Sequence, residues 1–320
     1  MFPIQRMRRN RRTNELRNLV AETSLDAGKM IMPVFVRENA TSPEAINGLP
    51  GVLRFPVDEV GEYCRKLEKD GVGGVLLFGI PSSKDENGTE SYNDSGVVQE
   101  SIRQIKKVSS LPVIADLCMC EYTSHGHCGI LTGETVKNDL TLDSYGKIAL
   151  SYARSGVDMI APSGMMDGQV AHIRSALDSK GYEMIPIMGY SAKYASALYS
   201  PFREAAESTP SFGDRRSYQM DYRNSKEAIS EVSLDIAEGS DIVMVKPAIF
   251  YLDVISKVRT VTTLPLAAYS VSGEYAMIMN AVKSGIMPER FIEEALISPF
   301  RAGADILITY FAEKFAEKSR

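Results

Sequence analysis

The stretch "SDIVMVKPA", residues 240–248, holds four consecutive apolar residues, Ile242 to Val245, and then a lysine. A strand with one solvated face alternates apolar and polar residues. A strand buried on both faces of a parallel sheet does not, and reads as an unbroken apolar run. Seven further runs share this character: "MIMPVFV" (30–36), "GGVLLFGI" (73–80), "LPVIADLCM" (111–119), "VDMIAPS" (157–163), "EMIPIMGYSA" (183–192), "LPLAAYSVSG" (264–273) and "ADILITYF" (304–311). The stretches between them carry helical spacing. Val98, Ile102 and Ile105 make one apolar stripe, with Asp94 or Ser95 expected as the N-cap. Two later helices are expected to end near Gly156 and Gly181. Eight strands alternating with helices predict an α/β fold, a (β/α)8 TIM barrel. The alternative, a doubly wound open sheet, lacks a Gly-rich dinucleotide turn here.

Three segments exceed a minimal barrel. Residues 1–28 read as a polar, extended N-terminal arm, and residues 29–320 as the TIM-barrel catalytic domain. Residues 81–93 form a polar loop. The connection over 194–225 is rich in Tyr, Phe and Arg, and is expected to be an active-site lid.

A net charge of −5 argues against a nucleic-acid partner, although "RMRRNRR" (6–12) is locally basic. No apolar window reaches the roughly 18 residues of a membrane span, and no secretory h-region opens the chain. Three of the four cysteines cluster within residues 118–128, which is not a disulfide framework. These features point to a cytoplasmic protein that keeps its thiols for metal or catalysis.

Active sites of such barrels lie at the C-terminal ends of the strands. There the sequence places Asp116, Cys118 and Cys120 after strand three, Ser163 after strand four, and Tyr190 and Lys193 on strand five. Lys246 follows on strand six, Tyr269 and Ser272 on strand seven, and Tyr310 on strand eight. Two lysines at adjacent strand ends in apolar surroundings favour the neutral amine, which attacks carbonyls to form Schiff bases. The spacing Cys118-x-Cys120-x7-Cys128 lacks the paired CxxC knuckles of a structural zinc site. It matches three ligands with an open position, or a fourth ligand from His125 or His127. Arg203, Arg215 and Arg216, in the 194–225 connection, are candidates for gripping a substrate carboxylate.

"DLCMCEYTSHGHCG", "APSGMMDGQV", "YSAKYAS", "SPFREAAESTPSFGDRRSYQMD", "EGSDIVMVKPA", "YSVSGEYAM" and "AGADILITYF" together resemble the porphobilinogen synthase (5-aminolevulinate dehydratase) family, in order across nearly the whole chain. The resemblance implies a hydro-lyase of tetrapyrrole (heme) biosynthesis that condenses two 5-aminolevulinate molecules to porphobilinogen. It implies Schiff bases on Lys193 and Lys246, with zinc on Cys118, Cys120 and Cys128. One substrate carboxylate would be held by Arg203, Arg215 and Gln219, the other by Ser272 and Tyr310, with Asp116, Ser163 and Tyr190 in support. It further implies an activating, allosteric magnesium at Glu231, of the kind some members carry, and a homo-oligomer, an octamer or smaller, whose N-terminal arms wrap a neighbouring barrel. In one place the chain departs from the pattern: many relatives have a carboxylate after "APS", where this chain has Gly164. The rival readings are a one-lysine class I aldolase on the same barrel, a zinc hydrolase that needs neither lysine, and a nucleic-acid-binding scaffold.

Overall fold

Each of the eight apolar runs forms a strand, and neighbours in the chain pair in parallel. The computed structural model describes residues 4–319. The barrel strands are β1 (Met30–Arg37), β2 (Gly74–Ile80), β3 (Val113–Leu117), β4 (Met159–Pro162), β5 (Met188–Lys193), β6 (Ile242–Lys246), β7 (Leu266–Ser270) and β8 (Ile306–Thr309). Hydrogen-bonded pairing runs from β4 back through β1 to β8 and on to β5. The ring closes between β4 and β5 through one parallel bridge, Ile160 to Ile187, where the Ile160 amide donates to the Pro186 carbonyl at 3.1 Å. Strands β2, β3, β5, β6 and β7 are buried along their whole length. Helices cover the outer faces, and this double burial is why their sequences do not alternate.

Helix Val97–Val108 buries Val98, Ile102 and Ile105 as its spacing predicts. Its N-cap is Gly96, not Asp94 or Ser95. The Asp94 carboxylate is drawn instead to Arg154, 2.6 Å away on the next helix. Helix Asn138–Ser155 stops at Gly156, whose φ of 88° is open to glycine at little cost. Helix Gln169–Asp178 ends earlier than expected, and Gly181 lies in the turn beyond it. Strand β5 starts at Met188 rather than near 183, because Tyr182 to Pro186 fold into a turn, with the Ile185 amide donating to the Tyr182 carbonyl.

Residues 194–225 are not a bare loop. They contain a short helix, Ser200–Ala205, and return to the end of β5, where the Ala195 amide donates to the Met220 carbonyl at 2.8 Å. Residues 81–93 lie against the cysteine-rich loop, with the Ser124 amide donating to the Asp85 carbonyl. In the expected arm, residues 1–3 fall outside the described residues, as does residue 320. The remainder carries a short helix, Asn14–Leu19, and its Ile4 and Leu19 are 86% and 79% exposed. Among the described residues no helix is long and apolar enough to cross a membrane.

Leu77 lies fully buried in β2 between Val34 of β1 and Ala115 of β3. Leu77→Ala should destabilise the fold by about 2–5 kcal/mol, seen as a lower urea midpoint at unchanged slope.

Candidate active site

The centre of the barrel mouth is set by an irregularity in β5. Val243 of β6 pairs with Gly189, yet Val245 pairs with Ala192, so β5 holds one extra residue opposite Met244. In a regular strand Tyr190 and Lys193 would point to opposite faces. The bulge brings them to the same side, a common use of bulges beside active sites. Lys193 Nζ then sits 5.4 Å from the Tyr190 ring centre. Lys193 also pairs directly with Lys246 across β5 and β6, which places both amines in one wall of the mouth.

Lys246 is enclosed by aromatic faces. Its Nζ lies 4.1 Å from the Tyr269 ring centre, 5.0 Å from Tyr190, and 5.3 Å from both Tyr199 and Phe202. Burial pushes its pKa down to about 7, the Lys193 charge pushes the same way, and Asp116 opposes both. Asp116 is itself raised to about 6 by burial, against the pull of the two lysines. Its Oδ2 accepts a hydrogen bond of 2.9 Å from Ser163 Oγ, and Lys193 Nζ donates to the Ser163 carbonyl. The mouth thus holds a near-neutral amine and a carboxyl group that exchanges protons close to neutrality.

Cys118, Cys120 and Cys128 are free and buried, with their sulfurs all within 4.8 Å of one another. Tetrahedral zinc with Zn–S bonds near 2.3 Å needs sulfurs about 3.8 Å apart, so the three thiols fit the metal. Cys128 is held well below the usual thiol range, first by hydrogen bonds from Cys118 and Cys120 and then by the nearby Arg215 and Lys193 charges. Neither histidine belongs to the cluster among the described residues. His127 contacts Tyr218 Oη and the Phe212 carbonyl, each at 3.1 Å, while His125 faces the Glu86 carbonyl. The two imidazoles hold the neighbouring loops instead of a metal.

Among the described residues, a set of buried polar atoms has no hydrogen-bond partner: Nε of Arg203, Nε of Arg215, both amide atoms of Gln219, and the hydroxyls of Tyr190, Tyr269 and Tyr310. Leaving a buried donor unpaired costs about 1–3 kcal/mol. So many in one mouth mark a place shaped for a polar ligand. Arg215 is anchored by its Nη2 to the Gly126 and Ser208 carbonyls at 2.9 and 2.6 Å, which leaves Nε free. Ser272 is already engaged: its Oγ accepts from the Phe202 amide at 3.0 Å and donates to the Leu198 carbonyl at 3.2 Å. Arg216 is exposed.

Glu231 is half-buried on helix Glu227–Ala237, where burial and then Asp167 raise its pKa. It lines a cavity of about 430 Å³ with Asp167 and Asp235. It joins no group of three ligand atoms among the described residues. Sequence reading did not single out Tyr199 and Phe202, which wall Lys246, or Glu121, whose Oε2 lies 3.2 Å from Cys120 Sγ. The aromatic content of 194–225 was the available signal for the first two.

The chain matches the family "Delta-aminolevulinic acid dehydratase" over residues 4–318. It is 52% identical over 321 residues to the delta-aminolevulinic acid dehydratase of Archaeoglobus fulgidus, covering 99% of this chain and 98% of that one. It is 49% identical to that of Methanothermus sociabilis, covering 99% of each. Its fold is similar to the crystal structure of delta-aminolevulinic acid dehydratase (porphobilinogen synthase) from Toxoplasma gondii in complex with the reaction product porphobilinogen. The TM-score is 0.96 at 39% identity, covering 99% of this chain and 92% of that one.

Replacing either neighbour of Lys246 should move its titration in opposite directions. Lys193→Met removes a like charge and should raise the Lys246 midpoint above about 7, whereas Asp116→Asn removes an attractive charge and should lower it. The pH dependence of Lys246 acylation by a small anhydride, followed by peptide mass analysis, reads both shifts.

Proposed function

The chain belongs to the delta-aminolevulinic acid dehydratase family, and we infer that it condenses two molecules of 5-aminolevulinate to porphobilinogen with loss of two waters. The observation that carries the reading is the adjacent pair Lys193 and Lys246, one amine poised near neutrality, facing unpaired donors suited to carboxylates.

Neutral Lys246 adds to the ketone of one substrate, and the resulting carbinolamine loses water to give a protonated imine. Lys193 does the same with the second substrate. Each imine acidifies the adjacent carbon, so one substrate can form an enamine that attacks the other's imine carbon; a substrate amine forms the second new bond, and both lysines leave as free amines. Asp116, with a pKa near 6, takes and returns the protons, while Ser163 fixes its carboxylate through the bond to Oδ2. Tyr190 supports both lysines through its ring. Arg203, Arg215 and Gln219 hold one carboxylate. Tyr310 holds the other, with Ser272 joining it once its bonds to the 194–225 segment rearrange. That segment acts as a lid and excludes the water that would hydrolyse the imines. Holding two small molecules in line is worth up to roughly 7–11 kcal/mol in favourable cases.

Cys118, Cys120 and Cys128 would hold zinc, which when bound supplies Lewis acidity and lowers the pKa of its water. Glu231 and the acidic cavity beside it suit a magnesium bound largely through water, as an allosteric site. The exposed apolar side chains of the arm suit packing on a neighbouring copy, in keeping with a homo-octamer. Reduced, buried thiols fit a cytoplasmic setting. A one-lysine aldolase gives no role to the second lysine or to the three thiols.

Borohydride added with 5-aminolevulinate should leave one reduced adduct on Lys246 and one on Lys193, found by peptide mass analysis. Adducts at neither lysine would end the Schiff-base reading. Chelation should abolish turnover while the far-ultraviolet circular dichroism persists, and readdition of zinc should restore it. Loss of the fold on chelation would make the thiol cluster structural instead.

A further inference from the structure

Gly164 stands where the sequence resemblance leads one to expect a carboxylate, and its surroundings show what fills the space. A Cβ at Gly164 would lie 1.6 Å from Tyr145 Oη and 2.7 Å from its Cζ. Tyr145 is fully buried on helix Asn138–Ser155, and its hydroxyl donates a 2.7 Å hydrogen bond to the carbonyl of Cys128. One helical turn earlier, Thr141 Oγ1 accepts from the Ile130 amide at 3.0 Å and donates to the Lys137 carbonyl at 2.7 Å. A Cβ at Gly129 would lie 2.4 Å from that same Thr141 oxygen. Residues four apart share a helix face. Two hydroxyls of one face therefore grip residues 128–130 from both ends, each in room left by a glycine.

The three thiols need this grip unequally. Cys118 and Cys120 leave the end of β3 almost at once, so the barrel itself places them. Cys128 returns only after the loop that holds both histidines, and no strand positions it.

We propose that Tyr145 is a positioning residue for the metal site: its hydroxyl fixes the Cys128 backbone so that the sulfur meets those of Cys118 and Cys120, and Gly164 is glycine to admit the phenol. This rests on reading the thiol cluster as a metal site. Groups that orient a metal ligand commonly change metal affinity by 10–100-fold when removed.

The test titrates zinc into the folded apo protein against a chromophoric chelator. Tyr145→Phe keeps the ring and should weaken zinc binding 10–100-fold. Ser151→Ala, on the same helix, removes a hydroxyl that donates to the Ile148 carbonyl and accepts from Gln99, and should lower thermal stability while leaving zinc affinity unchanged. Gly164→Ala should weaken zinc binding strongly in the native background but add little to Tyr145→Leu, where the ring is gone. Native affinity in Tyr145→Phe, an equal loss in Ser151→Ala, or additive losses in the Gly164 and Tyr145 pair would each overturn the proposal. If the unaltered protein takes up no zinc, the metal reading itself fails and the positioning role falls with it.

Discussion

Two amino groups that repel each other, held side by side in residues each only 5% exposed to solvent, are the constraint around which this molecule is arranged. Burial and like charge both favour the uncharged form of Lys246. Nothing flexible could sustain that arrangement, because a lysine stem free to move would carry its ammonium to solvent. Rigidity comes from the barrel. β5 and β6 are buried along their length, pair in register at their ends, and differ by one bulged residue that turns Tyr190 toward the same space as Lys193. The aromatic faces around Lys246 exclude water while still tolerating a transient cation.

Charge is sorted across the mouth. On the lysine side, desolvation favours neutrality. On the thiol side, hydrogen bonds from Cys118 and Cys120, with Arg215 behind them, favour an ionised Cys128. Asp116 stands between the two regimes and is pulled both ways, which leaves it able to exchange protons near neutral pH. Burial holds the Cys118 thiol well above its usual range, so the negative charge favoured on the thiol side falls on Cys128, while the amine of Lys246 is poised near neutrality.

Much of this was legible in the sequence because double burial leaves a strong mark. Unbroken apolar runs such as "VLLFG" and "IVMV" admit few alternatives, and the strand-end rule then collects Asp116, Lys193, Lys246 and Tyr310 in one place. What escaped depends on contacts between distant segments. The β5 bulge has no signature in "MGYSAK", since three residues of spacing gives opposite faces in any regular strand. The histidines look like ligands by proximity in sequence, yet backbone carbonyls of other loops claim them. Asp94 has the chemistry of a cap but finds Arg154 across a helix pair. The meaning of Gly164 appears only when Tyr145 is seen in its space.

The most direct test is a nuclear magnetic resonance titration of Lys246 in the folded protein without substrate, with carbon-13 in the lysine side chains and the signal assigned by Lys246→Met. A midpoint near 7 is the predicted result. A midpoint near the ordinary lysine value, about 10.4, would show that burial and the neighbouring Lys193 do not suppress the charge of Lys246, and the account of this site would be wrong.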